Sequence, residues 1–453
     1  MKRILKYYKP FLIAIIVSIC LLFVQAICDL KLPDFMSNIV NVGIQTAGIE
    51  DVAPKAISED GINFMKTFMT DEDKQIVDNS YIRIEKNDEK YLNEYPLLKD
   101  KDIFILKDEV NIEKLNEIFS ISAETFVLMM QINNTEEIQS ENNTSDINLD
   151  DIYSNISMLS NIPQEQISTL LAKAKEQNEE TSKQVGIVFT KAFYEELGMD
   201  MSKLQFDYIF KIGIAMIGVT ILGVLAAIIV DMLSAKIGAG LSRNLRKKVF
   251  EKVESFSTKE FNKFSEASLI TRTTNDVTQI QNITTMGIRM MIYSPIMGIG
   301  ALIMMLSKTV KMTWTLALGC GIIFLTILAL IKVVLPKIKL IQKLTDNLNL
   351  VSKENLAGIM VIRAFGTQKH EKEKFDNVNK ELTKVNLFVT RAMAITMPGM
   401  TLVMNLLSVL IIWVGAYQIA DATIQVGDLM AMMQYAIQVI MSFLFLSMIL
   451  IMI

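Results

Sequence analysis

The 453-residue sequence is 51% hydrophobic with a mean hydropathy of +0.35, too apolar for an ordinary water-soluble domain. A formal net charge of −4 excludes a strongly basic protein, so no nucleic-acid partner is expected. That charge is unevenly distributed: Lys31 to Asp207 carries 16 Lys+Arg against 34 Asp+Glu, whereas the rest carries 29 against 15. Because Lys and Arg collect at the cytoplasmic ends of spans, the N-terminus is expected inside a membrane and the acidic segment outside it.

The first apolar run, Pro10 to Ile27, is long enough for a minimal span, and Asp29, Lys31, Pro33 and Asp34 are expected to end it. No small-residue cleavage site precedes Asp29 to Asp34, so the run reads as a retained span rather than a signal peptide. Cys20, Cys28 and Cys320 all fall in or beside apolar runs, which predicts buried packing and no disulfide framework.

From residue 45 to residue 205 the chain is polar and acidic, as in a folded insertion or a lid. Short strands are predicted at Tyr81–Ile84 and Asp102–Leu106, and helices at Asn111–Phe119 and Pro163–Leu197, the second stopped by Gly198. Asn133 to Asp151 reads as a loop, and the glycosylation-type triplets at Asn133, Asn142, Asn143 and Asn155 read as chance products of an Asn-rich segment. Ser202 and Gln205 have capping-box spacing ahead of the second span, Tyr208 to Val230.

Four further spans follow: Met290 to Leu306, Met312 to Ile331, Ala394 to Ala416 and Gly427 to Ile453. Long charged segments at 234–280 and 332–391 separate them in pairs. Asp231 and Lys332 sit at the ends of the second and fourth spans, where interfacial roles are expected.

The stretch Glu354 to Leu382 has apolar Leu356, Ile359, Val361, Ile362 and Phe365 at roughly helical spacing, with Lys369, Lys372 and Lys374 among Glu371, Glu373 and Asp376. Read alone, this is an amphipathic helix with a solvated face. Its pattern, E-x-L-x-G-I-x-V-I-R-A-F followed by Glu371, Phe375, Asn379 and Leu382, resembles the second intracellular loop of the six-helix membrane domain of ABC exporters. Arg243, Leu245, Arg246, Val249 and Phe250, then Phe261 and Phe264, then Leu269 to Arg272 and Thr274, Asn275 and Asp276, resemble the first such loop. Leu32 to Ile44 is similar to the first-span extension of bacterial heterodimer-forming exporters, and Gly427, Asp428, Leu429 and Tyr435 match the sixth span.

The resemblance covers nearly the whole chain except the insertion. It implies a mainly α polytopic fold: six long transmembrane helices, with residues 1–44 holding the first, an α+β extracellular insertion at 45–205, and spans two to six in 206–453. It also implies two coupling helices that seat against an ATP-hydrolysing domain, near Ser257 to Lys263 (with Phe261) and near Phe365 to Phe375 (with Gly366 and Glu371). The implied partners are a second exporter half, a different subunit in the heterodimer-forming pattern, a nucleotide-binding domain with its ATP and Mg, the lipid bilayer of a bacterial cell, and an exported substrate. Sixth helices of this class lead on into the ATPase domain, so the chain is expected to be the membrane part of a longer protein.

No G-x-x-x-x-G-K-[ST] phosphate loop occurs, and Gly238-Ala239-Gly240 is too short to replace it, so no ATP hydrolysis is expected of these residues. His370 is the sole histidine, which excludes histidine-rich metal centres, and no catalytic or metal-binding residue is predicted. What remains is a pathway: Gln25 on the first span, and Met430, Met433, Gln434, Gln438 and Met441 on the sixth, with Met432 and Met448 adding to its pliability. Gln434 and Gln438, one turn apart, either face a cavity or bond to neighbouring helices. A ligand-sensing receptor and a four-span mechanical permease stay open as alternatives; the first predicts two spans and the second predicts short inner loops.

Overall fold

A computed structural model describes residues 6–88, 90–133, 149–154, 164–261, 264, 266–309 and 311–452. Lys263 and most of the Asn-rich stretch, with Asn142, Asn143 and Asn155, lie outside the described residues. Among the described residues, six helices are long and apolar enough to cross a membrane: Lys6–Gln45, Met201–Glu254, Glu266–Lys308, Thr313–Ala357, Gln368–Ala420 and Val426–Leu446. Helix is the economical solution there, because a backbone in hydrocarbon must satisfy every N–H and C=O within its own segment.

Several ends differ from those expected. The first helix does not stop at Asp29 to Asp34 but runs from Leu12 to Asn38 through Pro33, then continues as a π-helical turn over Ile39–Gln45. Charged residues alone do not break a helix whose backbone ladder is intact. The second long helix starts at Met201, so Ser202 lies inside it; the cap is Asp200, whose Oδ1 accepts from the Lys203 N–H at 3.1 Å. Gln205 instead donates to the Gly43 carbonyl at 2.8 Å. Pro336 sits within the Thr313–Ala357 helix without ending it.

The chain divides into two compact units. One comprises 32–219 with 415–431, and the other 1–31, 220–414 and 432–453. The first unit contains a three-stranded antiparallel sheet in the order β1-β3-β2, made of β1 (Ala56–Ser58), β2 (Tyr81–Ile84) and β3 (Ile103–Leu106). Ala56 pairs with Ile105 and Tyr81 with Leu106. β1 has only three residues, too few for alternation to reveal it. Helices Glu59–Thr67 and Asp71–Ser80 open on caps from Ser58 and Thr70. The predicted short helix at Asn111 extends over Ile112–Asn133, and the predicted Pro163–Leu197 helix is two, Gln164–Glu176 and Glu179–Glu196, the second capped by Asn178. Gly198 stops it at φ +75°, as expected.

Phe64, Phe68, Phe119, Phe126, Phe189 and Phe193 fill the core of this unit. Phe126 meets Phe64 edge-on at 5.0 Å and Phe189 at 5.6 Å, contacts worth about 0.5–1.5 kcal/mol each beyond burial. At its edge the Glu196 carboxylate accepts from the Ser58 hydroxyl at 3.0 Å and the Tyr153 hydroxyl at 2.8 Å.

Burial raises the Glu196 carboxyl above its usual range, more than these two donors lower it. A raised acid favours the fold below its unfolded pKa of about 4.3 and loses that contribution as pH rises through the folded value. Glu196→Gln is therefore expected to flatten the fall in protection from amide exchange of the Glu179–Glu196 helix as pH rises above this range.

Candidate functional site

The second unit carries the turns that join the second span to the third and the fourth to the fifth. A helix of 54 residues, Met201–Glu254, is about 81 Å long against a hydrocarbon thickness of about 30 Å, so it projects well beyond any bilayer. It ends at Glu254, and the four-residue helix Thr258–Phe261 follows directly after Ser257. The Ser257 N–H and hydroxyl both donate to Glu260 Oε2 at 3.0 Å, while the Glu260 N–H donates back to Ser257 Oγ at 3.4 Å. This reciprocal capping box pins the turn. The Ser257 backbone N–H, then its hydroxyl, hold the Glu260 carboxyl below the usual glutamate range.

Phe261 is partly exposed, whereas Phe256 and Phe264 stack at 5.8 Å with the Arg272 guanidinium over Phe264 at 5.0 Å. Sequence reading named Ser257 and Phe261 but missed the Glu260 cap. The S-x-x-E spacing carried that signal.

The other turn differs from the expected helix over Phe365 to Phe375. The long fourth-span helix ends at Ala357, Gly358 interrupts it, and Ile359–Phe365 forms a separate helix. Gly366 then takes φ +66°, and the Thr367 N–H donates to the Ile362 carbonyl at 3.1 Å, a Schellman-type ending. Phe375 lies within the next helix, Gln368–Ala420. A left-handed residue cannot propagate a helix, so Gly366 divides the segment. Phe365 is 78% exposed, with Leu356, Met360 and Val361 exposed nearby. Glu371 is half-buried, His370 is exposed, and Lys374 pairs with Glu354 at 3.0 Å across the turn.

The pathway residues divide. Gln25 is 7% exposed and its Nε2 donates to Asp29 Oδ2 at 3.5 Å; Gln438 Nε2 donates to the Asp29 carbonyl at 3.3 Å. The Tyr293 hydroxyl donates to the same Asp29 carboxylate, and the Tyr435 hydroxyl to the Leu30 carbonyl at 3.2 Å. Gln25 and Gln438 thus converge on Asp29, a residue sequence reading had placed at a membrane exit. Gln434 is exposed and does not join them, Met433 is half-buried, and Met441 is exposed. Met430, half-buried, belongs to the α+β unit. Of the cysteines only Cys28 is buried; Cys20 is exposed, contrary to expectation, because it lies on an apolar face that no other described residue covers. Asp231 pairs with Arg289 at 2.6 Å.

Within the α+β unit, the extension of the first helix meets the start of the last through a chain of hydrogen bonds. The Gly427 N–H donates to Asn41 Oδ1 at 2.7 Å, Asn41 Nδ2 to Ser37 Oγ at 3.2 Å, and the Ser37 hydroxyl to Asp428 Oδ1 at 2.9 Å. A Cβ at Gly427 would stand 2.5 Å from the Ser37 carbonyl, so the two backbones approach as closely as glycine allows.

The family model of the ABC transporter transmembrane region matches residues 181–443, and the chain belongs to that family. It is 35% identical over 240 residues to an uncharacterized ABC transporter ATP-binding protein of Mycobacterium tuberculosis, covering 53% of this chain and 41% of that protein. A similar protein of Bacillus subtilis is 35% identical over 227 residues, 50% of this chain and 40% of the other. A multidrug resistance-like ATP-binding protein of Buchnera aphidicola is 28% identical over 200 residues, 43% and 34% respectively. The chain therefore spans about a third to two fifths of the length of these relatives.

Asn41→Ala would leave the buried Gly427 N–H unpaired, at a cost of about 1–3 kcal/mol. Faster amide exchange at Gly427, with unchanged exchange in the β1-β3-β2 sheet, is the expected result.

Proposed function

We propose that this chain is the membrane-spanning permease part of an ATP-driven exporter, which forms a substrate pathway with a second half and alternates between inward-open and outward-open states. The observation that carries the proposal is the apolar turn around Gly366. Phe365, Met360 and Val361 stand exposed beyond a long span, where water would disfavour them and a partner domain's groove would accept them. Family membership makes a nucleotide-binding domain the implied partner. In this reading, that domain's motion reaches the spans through the Ser257 turn and the Gly366 turn, and helices of 45 to 54 residues carry it as stiff levers.

ATP and Mg belong to the nucleotide-binding domain. No G-x-x-x-x-G-K-[ST] phosphate loop occurs in this sequence. The second half is a different subunit, as the resemblance of Leu32 to Ile44 to heterodimer-forming exporters suggests. In the bacterial cell membrane the basic turns face the cytoplasm and the acidic α+β insertion faces outward, following the charge asymmetry. Six candidate spans give no support to a two-span receptor, and the long projecting helices none to a short-looped, four-span permease.

In the assembled transporter, Phe365→Asp together with Phe375→Asp is expected to uncouple ATP hydrolysis from export while leaving the spans folded. Undiminished export would reject the coupling assignment. Single cysteines at Ser257, Lys369 and Asp421 should report the orientation: an impermeant maleimide added outside intact cells should label only the third.

A further inference from the structure

We propose that Asp29, with Gln25, Tyr293 and Gln438, forms a recognition site within the spans for the protonated amine of an amphiphilic molecule. Along the third span, Arg289 and Lys308 bound an apolar stretch of about 28 Å, close to one hydrocarbon thickness. Tyr293 donates to the Asp29 carboxylate, and the next residue, Leu30, packs where a Cβ of Gly300 would lie. Asp29 is therefore bracketed between the levels of Tyr293 and Gly300, well inside that stretch. On the second span its Oδ1 lies 3.9 Å from the Cβ position of Gly223, whose neighbours are Leu222 and Val224.

A carboxylate at this depth is costly unless a cation or donors compensate it. No Lys or Arg among the described residues forms an ion pair with Asp29. Its partners are a phenol and an amide, both neutral. The same cluster holds two amide oxygens without donors, Gln25 Oε1 and Gln438 Oε1, each buried at the atom. Gln25 is more than nine-tenths buried and hydrogen-bonded to Asp29, which keeps its amide within the cluster.

The site is short of N–H donors and of positive charge. An anion is excluded by the carboxylate, and a quaternary ammonium brings charge without N–H groups. A protonated primary amine supplies both, one charge for Asp29 and three N–H donors for the carboxylate and the two amide oxygens. Room for an apolar body opens at residues that follow the cluster along the third and sixth spans. A cavity of about 400 Å³ is walled by Pro295, Ile299, Leu302, Phe443 and Leu446 and begins at Ser294, the residue after Tyr293. It also reaches Ser442, one turn beyond Gln438 on the sixth span. Ser294 Oγ is likewise buried without a partner.

As a cargo site this rests on the exporter reading, but binding can be measured without transport. The chain in lipid nanodiscs would be titrated with monodansylcadaverine, which ends in a primary amine, and with its neutral N-acetyl derivative, each against empty nanodiscs. The expected result is an affinity for the amine about tenfold or more above that for the acetylated probe. Asp29→Asn should abolish this preference and Asp29→Glu should retain it. Equal binding of the two probes by the unaltered chain would overturn the proposal without recourse to any variant. So would an unchanged preference in Asp29→Asn, or displacement of the amine by Na⁺ at equal molar concentration, which would mark an inorganic cation site. The Phe365→Asp, Phe375→Asp protein should bind the amine as well as the unaltered chain does. Failure of the coupling reading and failure of this site are thereby distinguishable.

Discussion

Backbone hydrogen bonding in hydrocarbon is the constraint from which the rest of this structure follows. A segment that crosses a bilayer without water must pair its own N–H and C=O groups, and a continuous helix does so residue by residue. Once begun, such a helix has no reason to end at the membrane boundary. Charged residues at Asp29, Lys31 and Asp34, and even Pro33 and Pro336, leave enough of the ladder intact for the helices to run on. Helices far longer than a bilayer is thick result, and each delivers its last residues to a turn.

Those turns end by specific local chemistry rather than by loss of apolar character. Ser257 and Glu260 close one with reciprocal hydrogen bonds, and Gly366 closes the other by adopting a conformation other residues avoid. Stiff helices and well-defined ends belong together, because a lever transmits displacement only if its tip is fixed. In the proposed function, the exposed apolar side chains at the Gly366 turn are what a partner domain would hold.

The spans also show how polar groups are tolerated among apolar helices. Arg289 neutralises Asp231 directly, and in the α+β unit Ser37, Asn41, Gly427 and Asp428 share their donors and acceptors in sequence. Asp29 is handled differently, by neutral donors that leave its charge unbalanced and two neighbouring amide oxygens unpaired. The contrast between fully paired and partly paired clusters within one chain singles out the latter.

Helical spans, their number and the absence of a phosphate loop could be read from the sequence, because hydrophobic run length and short-range spacing are properties of neighbouring residues. The two strands at Tyr81 and Ile103 and the stop at Gly198 were legible for the same reason, and β1 was not, since three residues carry no period. Gln25 and Gln438 could be singled out individually as polar residues in apolar helices. Their meeting at Asp29 could not, nor could the arrival of Tyr293 there, for these residues lie up to 409 positions apart. The pattern along one helix tells which face is buried. Only the packing of the first, third and sixth helices against one another decided which side chains share a site, because that depends on axial register between helices, which no single helix encodes.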